Sequence, residues 1–146
     1  MMRGIKIGIV FAVMFYIVGC SQSQLELHDR KSHLTWFYDE NRIEFNLYIK
    51  NNQSEKAEFY LYIVNTKNEW ANALNYRIAP IQNGKLFNIE AGQEVLITET
   101  IFLPDELLTT EQILSNAFEI IVEEKVSAEK KRQTHYKIQE ISTVQD

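Results

Sequence analysis

Two stretches alternate apolar and polar residues so regularly that only one kind of backbone suits them. In Arg42 to Lys50, "RIEFNLYIK", the residues Ile43, Phe45, Leu47 and Ile49 fall on one side, and Glu44, Asn46, Tyr48 and Lys50 on the other. After "NNQSE", the stretch "KAEFYLYIV" repeats the pattern with Ala57, Phe59, Leu61 and Ile63 against Glu58, Tyr60, Tyr62 and Val64. A period of two residues is that of a strand with one face buried. Two registers remain open. The strands could form a hairpin with Phe45 opposite Leu61, which keeps every apolar side chain on one side. They could instead arch between two packed sheets.

Further strand signals surround this pair. "HLTWFY" (His33 to Tyr38) precedes it; "KLFNI", "EVLITETIFL", "FEIIV" and "THYKIQEI" follow. Ala91-Gly92-Gln93 reads as a turn, with glycine for positive φ. Pro104 ends the longest strand. "WANALNYRI" (Trp70 to Ile78) is ambiguous, since Trp70, Leu74 and Tyr76 suit a strand face and Trp70, Ala73 and Leu74 suit a helical turn. "TTEQILSNA" predicts a turn or two of helix, with Thr109 and Gln112 at capping-box spacing. No regular strand–helix alternation argues for a parallel sheet. The expectation is an all-β fold: an antiparallel immunoglobulin-like β-sandwich of about seven or eight strands with at most one short helix, spanning residues 33–142. Residues 143–146 are expected to fray. The Cys-Trp-Cys signature is absent, because Cys20 is the only cysteine; an intramolecular disulfide is excluded. The turn spacing, with "KNNQSE" after one strand and "IEAGQEV" entering another, resembles small immunoglobulin-like domains of Gram-positive secreted proteins.

The N-terminus has a different character. Arg3 and Lys6 precede "IGIVFAVMFYIV", Ile7 to Val18. Twelve apolar residues match a signal-peptide core, whereas a spanning helix needs about 20. Ile17-Val18-Gly19-Cys20 then resembles the lipobox of bacterial lipoproteins, with Ile17 where leucine is commoner. The resemblance implies cleavage between Gly19 and Cys20 and a diacylglyceryl group on the Cys20 thiol; no cofactor is expected besides that covalent lipid. Residues 1–19 are then a signal peptide, and Cys20 tethers the chain to the extracytoplasmic face of the cell membrane, or to the outer membrane in a Gram-negative cell. The polar stretch "SQSQLELHDRKS" lacks periodicity, so 20–32 is expected to be a flexible tether.

Charge narrows the partners. The net charge is -5, and the only two charges before Cys20 are positive, so the remainder is more acidic still. Such a domain is a poor match for nucleic acid, which is bound by neutralising phosphates. The basic run Lys130-Lys131-Arg132 reads as a solvated loop tip within the long charged segment "EEKVSAEKKRQ".

Catalytic patterns are weak. No serine sits in a Gly-x-Ser-x-Gly elbow. His135 has no acid or serine partner in sequence, and His28 and His33 lack the convergence a metal needs. The carboxylates Glu90, Glu94, Glu99, Glu119, Glu123 and Glu124 alternate with apolar residues, as solvated strand faces do. Tyr48, Tyr60 and Tyr62 stand out as a polar-face cluster suited to protein recognition. The reading is therefore a membrane-anchored, non-enzymatic lipoprotein with a protein partner. The alternatives are an inhibitor or immunity-type protein acting through Val126 to Gln133, and, further off, a small-ligand carrier or enzyme.

Overall fold

The computed structural model describes residues 24–105, 107 and 109–145. The lipobox, with Gly19 and Cys20, lies outside the described residues. Ten strands form two sheets: β1 (Leu25–Leu27), β2 (His33–Phe37), β3 (Arg42–Asn51), β4 (Ala57–Asn65), β5 (Ile78–Pro80), β6 (Phe87–Ile89), β7 (Glu94–Phe102), β8 (Phe118–Lys125), β9 (Lys131–Lys137) and β10 (Glu140–Val144). Two short α-helices, α1 (Asn68–Leu74) and α2 (Glu111–Leu114), and 3-10 turns at Tyr38–Glu40 and Ile81–Gly84 join them. The immunoglobulin-like sandwich expected from the alternation is the observed architecture, with ten strands and two helices in place of seven or eight and one.

The first sheet is built on β3. β7 runs antiparallel along one edge of β3, and β1 and β2 share the other edge as an interrupted strand. β10 lies outside β2 and pairs with it in parallel, the one parallel ladder among the described strands. The second sheet is built on β4 in the same manner, with β8 and then β9 on one side and β5 and β6 end to end on the other. Since β3 and β4 belong to different sheets, "NNQSE" is an arch, and the hairpin register does not occur. A period of two residues is common to both arrangements, so it could not separate them.

Between the sheets lie the residues that the alternation placed inward. Ile43, Phe45, Leu47, Ile49, Phe59, Leu61 and Ile63 are all buried. Phe118 joins the layers, edge-on to Phe45 at 5.3 Å and to Trp70 at 5.5 Å. Trp70 is the buried residue of α1, which settles the ambiguous segment as a helix followed by β5. α2 is capped by Thr110, whose Oγ1 accepts the Ile113 N–H at 3.2 Å, and not by Thr109.

Three boundary expectations are corrected. The tether does not extend to 32, because Leu25 and Leu27 are core residues and β1 pairs with Ile49–Asn51. Ser32, also buried, accepts the Tyr48 N–H at 2.9 Å and so satisfies the backbone where β1 gives way to β2. The C-terminal segment does not fray at 143, because Thr143 and Val144 pair with Trp36 and Phe37. Nor is the segment after Glu123 a long loop. β8 continues to Lys125, β9 begins at Lys131, and the turn is closed by Val126 and Ser127 N–H groups donating to the Lys130 carbonyl at 2.9 and 3.1 Å.

The registers give the sandwich two distinct ends. Leu25, Asn51, Glu94 and the Val126–Lys130 turn lie at one. Phe37, Arg42, Phe102 and Val144 lie at the other, with α1 following the far end of β4. Along β3 the separation is about 27 Å at the usual rise per residue.

Candidate functional site

The three tyrosines singled out by sequence do not form one face. Tyr48 projects from the outer side of β3, while Tyr60 and Tyr62 project from the outer side of β4, in the other sheet. Between those outer sides lies the whole core, so the expected cluster is split by the arch.

Tyr60 and Tyr62 enter a compact polar group. Glu123, opposite Tyr60 in register, accepts hydrogen bonds from Lys131 Nζ at 2.7 Å, Gln133 Nε2 at 2.6 Å and, more distantly, the Tyr62 hydroxyl at 3.4 Å. Lys131 also lies 5.3 Å from the Tyr60 ring centroid. These bonds, the one from Lys131 foremost, hold the Glu123 carboxyl below the usual carboxylate range. Burial, with the nearby Glu123 charge second, raises the Tyr62 phenol. Lys131, read from sequence as part of a solvated loop tip, is thus a strand residue that completes this group.

Tyr48 has a looser setting. Lys31 Nζ stands 5.8 Å from its ring and bonds Glu94 at 2.6 Å, which lowers the Glu94 carboxyl. Leu96 faces Tyr48 across the β3–β7 ladder and is exposed.

Arg42 was not singled out by sequence, yet it is the most elaborately held cation of the first sheet. Its Nε donates to Glu40 at 2.7 Å and a terminal nitrogen to Glu44 at 3.4 Å. Its guanidinium carbon lies 3.7 Å from the Phe37 ring centroid. The bond to Arg42 lowers the Glu40 carboxyl and raises the guanidinium. The signal that could have found Arg42 is the neighbouring aromatic-acidic run "FYDENR", although its placement beside Phe102 needs the register.

The remaining sequence candidates stay apart. His135 reaches Glu119 at 3.6 Å on the outer face of the second sheet. The His33 ring bonds the Lys31 carbonyl at 2.9 Å. Among the described residues no group of three potential metal ligands converges. Glu124 points inward, held by Gln53 at 2.5 Å and Arg132 at 3.6 Å. Glu99 also points inward and accepts the Gln82 N–H at 2.6 Å. Together with burial, the larger influence, its charge raises the phenol of Tyr76. Two open hollows lie at the Phe102 end. One of about 560 Å³ runs beside α1, lined by Asn72, Asn75, Tyr76 and Arg77. The other, of about 420 Å³, is lined by Trp36, Tyr38, Asp39, Asn41 and Asp105.

No protein-family model matches this chain, and no curated protein matches it. Solved structures of similar shape are distant. The ligand binding region of Serine-glutamate repeat protein A of Enterococcus faecium is 14% identical with a TM-score of 0.43; the match covers 84% of this chain and 98% of that one. The alkylpurine DNA glycosylase AlkC of Pseudomonas fluorescens is 10% identical at a TM-score of 0.42, over 79% of this chain and 31% of its own. A β-glucosidase from Listeria innocua is 13% identical at a TM-score of 0.32, over 81% of this chain and 16% of its own. The chain thus spans less than a third of the glycosylase and about a sixth of the glucosidase.

Proposed function

We propose that this chain is a lipid-anchored lipoprotein of the cell envelope, and that its sandwich binds another protein without catalysing a reaction. The observation that carries the reading is where the core begins. Leu25 is buried and paired at one end of the sandwich, five residues after Cys20. Those five residues reach about 17 Å at most. A diacylglyceryl group on Cys20 would therefore hold the Leu25 end near the lipid and leave the other end free. Each buried CH₂ contributes about 0.8 kcal/mol, so two acyl chains make a stable anchor without a spanning helix.

Three carboxylates are unsuited to act as general acids. Glu40, Glu94 and Glu123 are each held ionised by a neighbouring cation on a separate part of the sheets. A general acid needs the opposite, a carboxyl pushed upward. The inhibitor reading is weaker, because Lys131 to Gln133 are strand residues and the remaining turn lies at the end that the anchor would hold.

The test is metabolic lipid labelling of the wild type and Cys20→Ala. The reading expects the label to be lost in the variant and the uncut precursor, retaining Gly19, to accumulate. Labelling that survives the substitution would refute the anchor.

A further inference from the structure

At the end remote from Leu25, four of the five strands of the first sheet each set one residue on the outer face in a single row. The row runs Val144 on β10, Phe37 on β2, Arg42 on β3 and Phe102 on β7. Phe102 is 69% exposed, Val144 38%, and neighbouring Tyr38 50%. The fold does not require a phenylalanine at 102. Thr98 and Thr100 occupy equivalent outward positions on β7, and a threonine would pair as well. Arg42 is fixed by Glu40, Glu44 and the Phe37 ring, so its conformational freedom is spent in folding and little remains to be lost on binding.

The rim of the row is acidic. Glu40 and Glu44 flank Arg42 in the row, and Asp39 and Asp105 line the adjoining hollow with Tyr38, where the Asn41 side chain donates to Asp105 at 2.7 Å. Arg42 is the only lysine or arginine in β2, the Tyr38–Asn41 turn, β3 up to Ile49, β7 and β10. An exposed aromatic centre with a preordered arginine has the composition of a protein-binding hot spot. Carboxylates in excess at the rim call for cations on the other side.

We propose that the row Phe102–Arg42–Phe37–Val144, with Tyr38 beside it, docks a basic protein. Apolar groups of the partner cover Phe102 and Tyr38, while its lysines or arginines meet Asp39, Glu40 and Asp105. A second copy of this chain would bring the same acidic rim against itself. A lipid surface lies at the opposite end in the anchored arrangement. In this orientation the inference rests on the function proposed above, and it adds the face and the charge of the partner.

The test uses a photoreactive phenylalanine analogue placed at 102, at 62 and at 126 in separate full-length chains, in the cells that make the protein. The expected result is one discrete heteromeric adduct from position 102, cross-linked through a lysine- or arginine-rich surface of the partner. Its yield should fall about fivefold or more in Asp39→Lys/Asp105→Lys. The melting temperature of that variant, measured alongside, separates lost docking from lost folding; if it falls, added salt replaces the substitution as the charge test. An adduct indifferent to both charge reversal and salt, an adduct of twice the chain mass, a lipid adduct, or none from 102 overturns the proposal. Adducts from 62 or 126 alone would overturn this face and leave a binding function standing. Silence at all three positions would remove both.

Discussion

The two ends of the sandwich are closed by different chemistry. At the Leu25 end, buried Asn51 knots three segments together. Its Nδ2 is shared among the carbonyls of Glu55 at 2.8 Å and of Ile89 and Glu90 at 3.2 Å, and its Oδ1 accepts the Gln53 N–H at 2.9 Å. Gly92, at φ 70°, turns its N–H back to the Asn51 carbonyl at 3.0 Å. A side chain there would be strained by that backbone conformation. The connections at this end are short and their polar groups are satisfied locally. The Phe102 end carries both α-helices, the two hollows described above, Asn41 and Asn75 in left-handed conformation, and the exposed Phe102 and Tyr38. One end is tied together by the bonds of Asn51 to backbone groups, whereas the other exposes the aromatic side chains of Phe102 and Tyr38. Function tends to collect on such an end, because a rigid scaffold holds variable connections there.

Substitutions at the two ends should separate these roles. The largest effect is expected from Trp70→Ala, which empties the contact that fixes α1 against Phe118 at the Phe102 end. It should cost about 3–5 kcal/mol in urea unfolding; a cost under about 1 kcal/mol would mean that the helix is not docked as described. Asn51→Ala at the other end should cost about 1–3 kcal/mol, chiefly by leaving the carbonyls of Ile89 and its neighbours without a donor. Proteolysis should then begin in 52–56, and cleavage starting elsewhere would argue against the knot.

Glu123→Gln lies between the ends and should cost on the order of 1 kcal/mol at neutral pH. Its carboxyl is held down in the folded state, so its stabilisation is present above the unfolded carboxyl range near 4.3 and is lost as pH falls through the lower folded value. The difference between wild type and variant should therefore shrink at about pH 3, and a constant difference would show that charge is not its source. Phe102→Ser should change stability by no more than about 0.5 kcal/mol, since the side chain is mostly in water. A large loss would make Phe102 a structural residue and remove it from the docking row.

Much of the core was legible from residues. The alternation of β3 and β4 named the inward set without error, since a half-buried strand imposes its period directly. What the period cannot carry is which strands are neighbours. The arch after Asn51 separates Tyr48 from Tyr60 and Tyr62, and the sequence-based cluster dissolves with it. Leu25–Leu27 has only three residues, too few for alternation to stand out from a polar linker. β10 finds its partner in parallel across more than a hundred residues of chain, which local pattern cannot reveal. The Phe102–Arg42 row has the same origin, because three registers together place its four members side by side. Lys131 looked like part of a loop tip because the strand pattern of β9, "KRQTHYK", has no strongly apolar face.

The polarity of the domain can be measured directly. With Cys20 acylated, a cysteine introduced by Val126→Cys or Phe102→Cys is the sole free thiol and accepts one dye. Energy transfer from that dye to an acceptor in the membrane should be distinctly stronger from 126 than from 102, given the separation of about 27 Å along the strands. Equal transfer from both positions, or stronger transfer from 102, would contradict the arrangement in which one end is anchored and the other is presented.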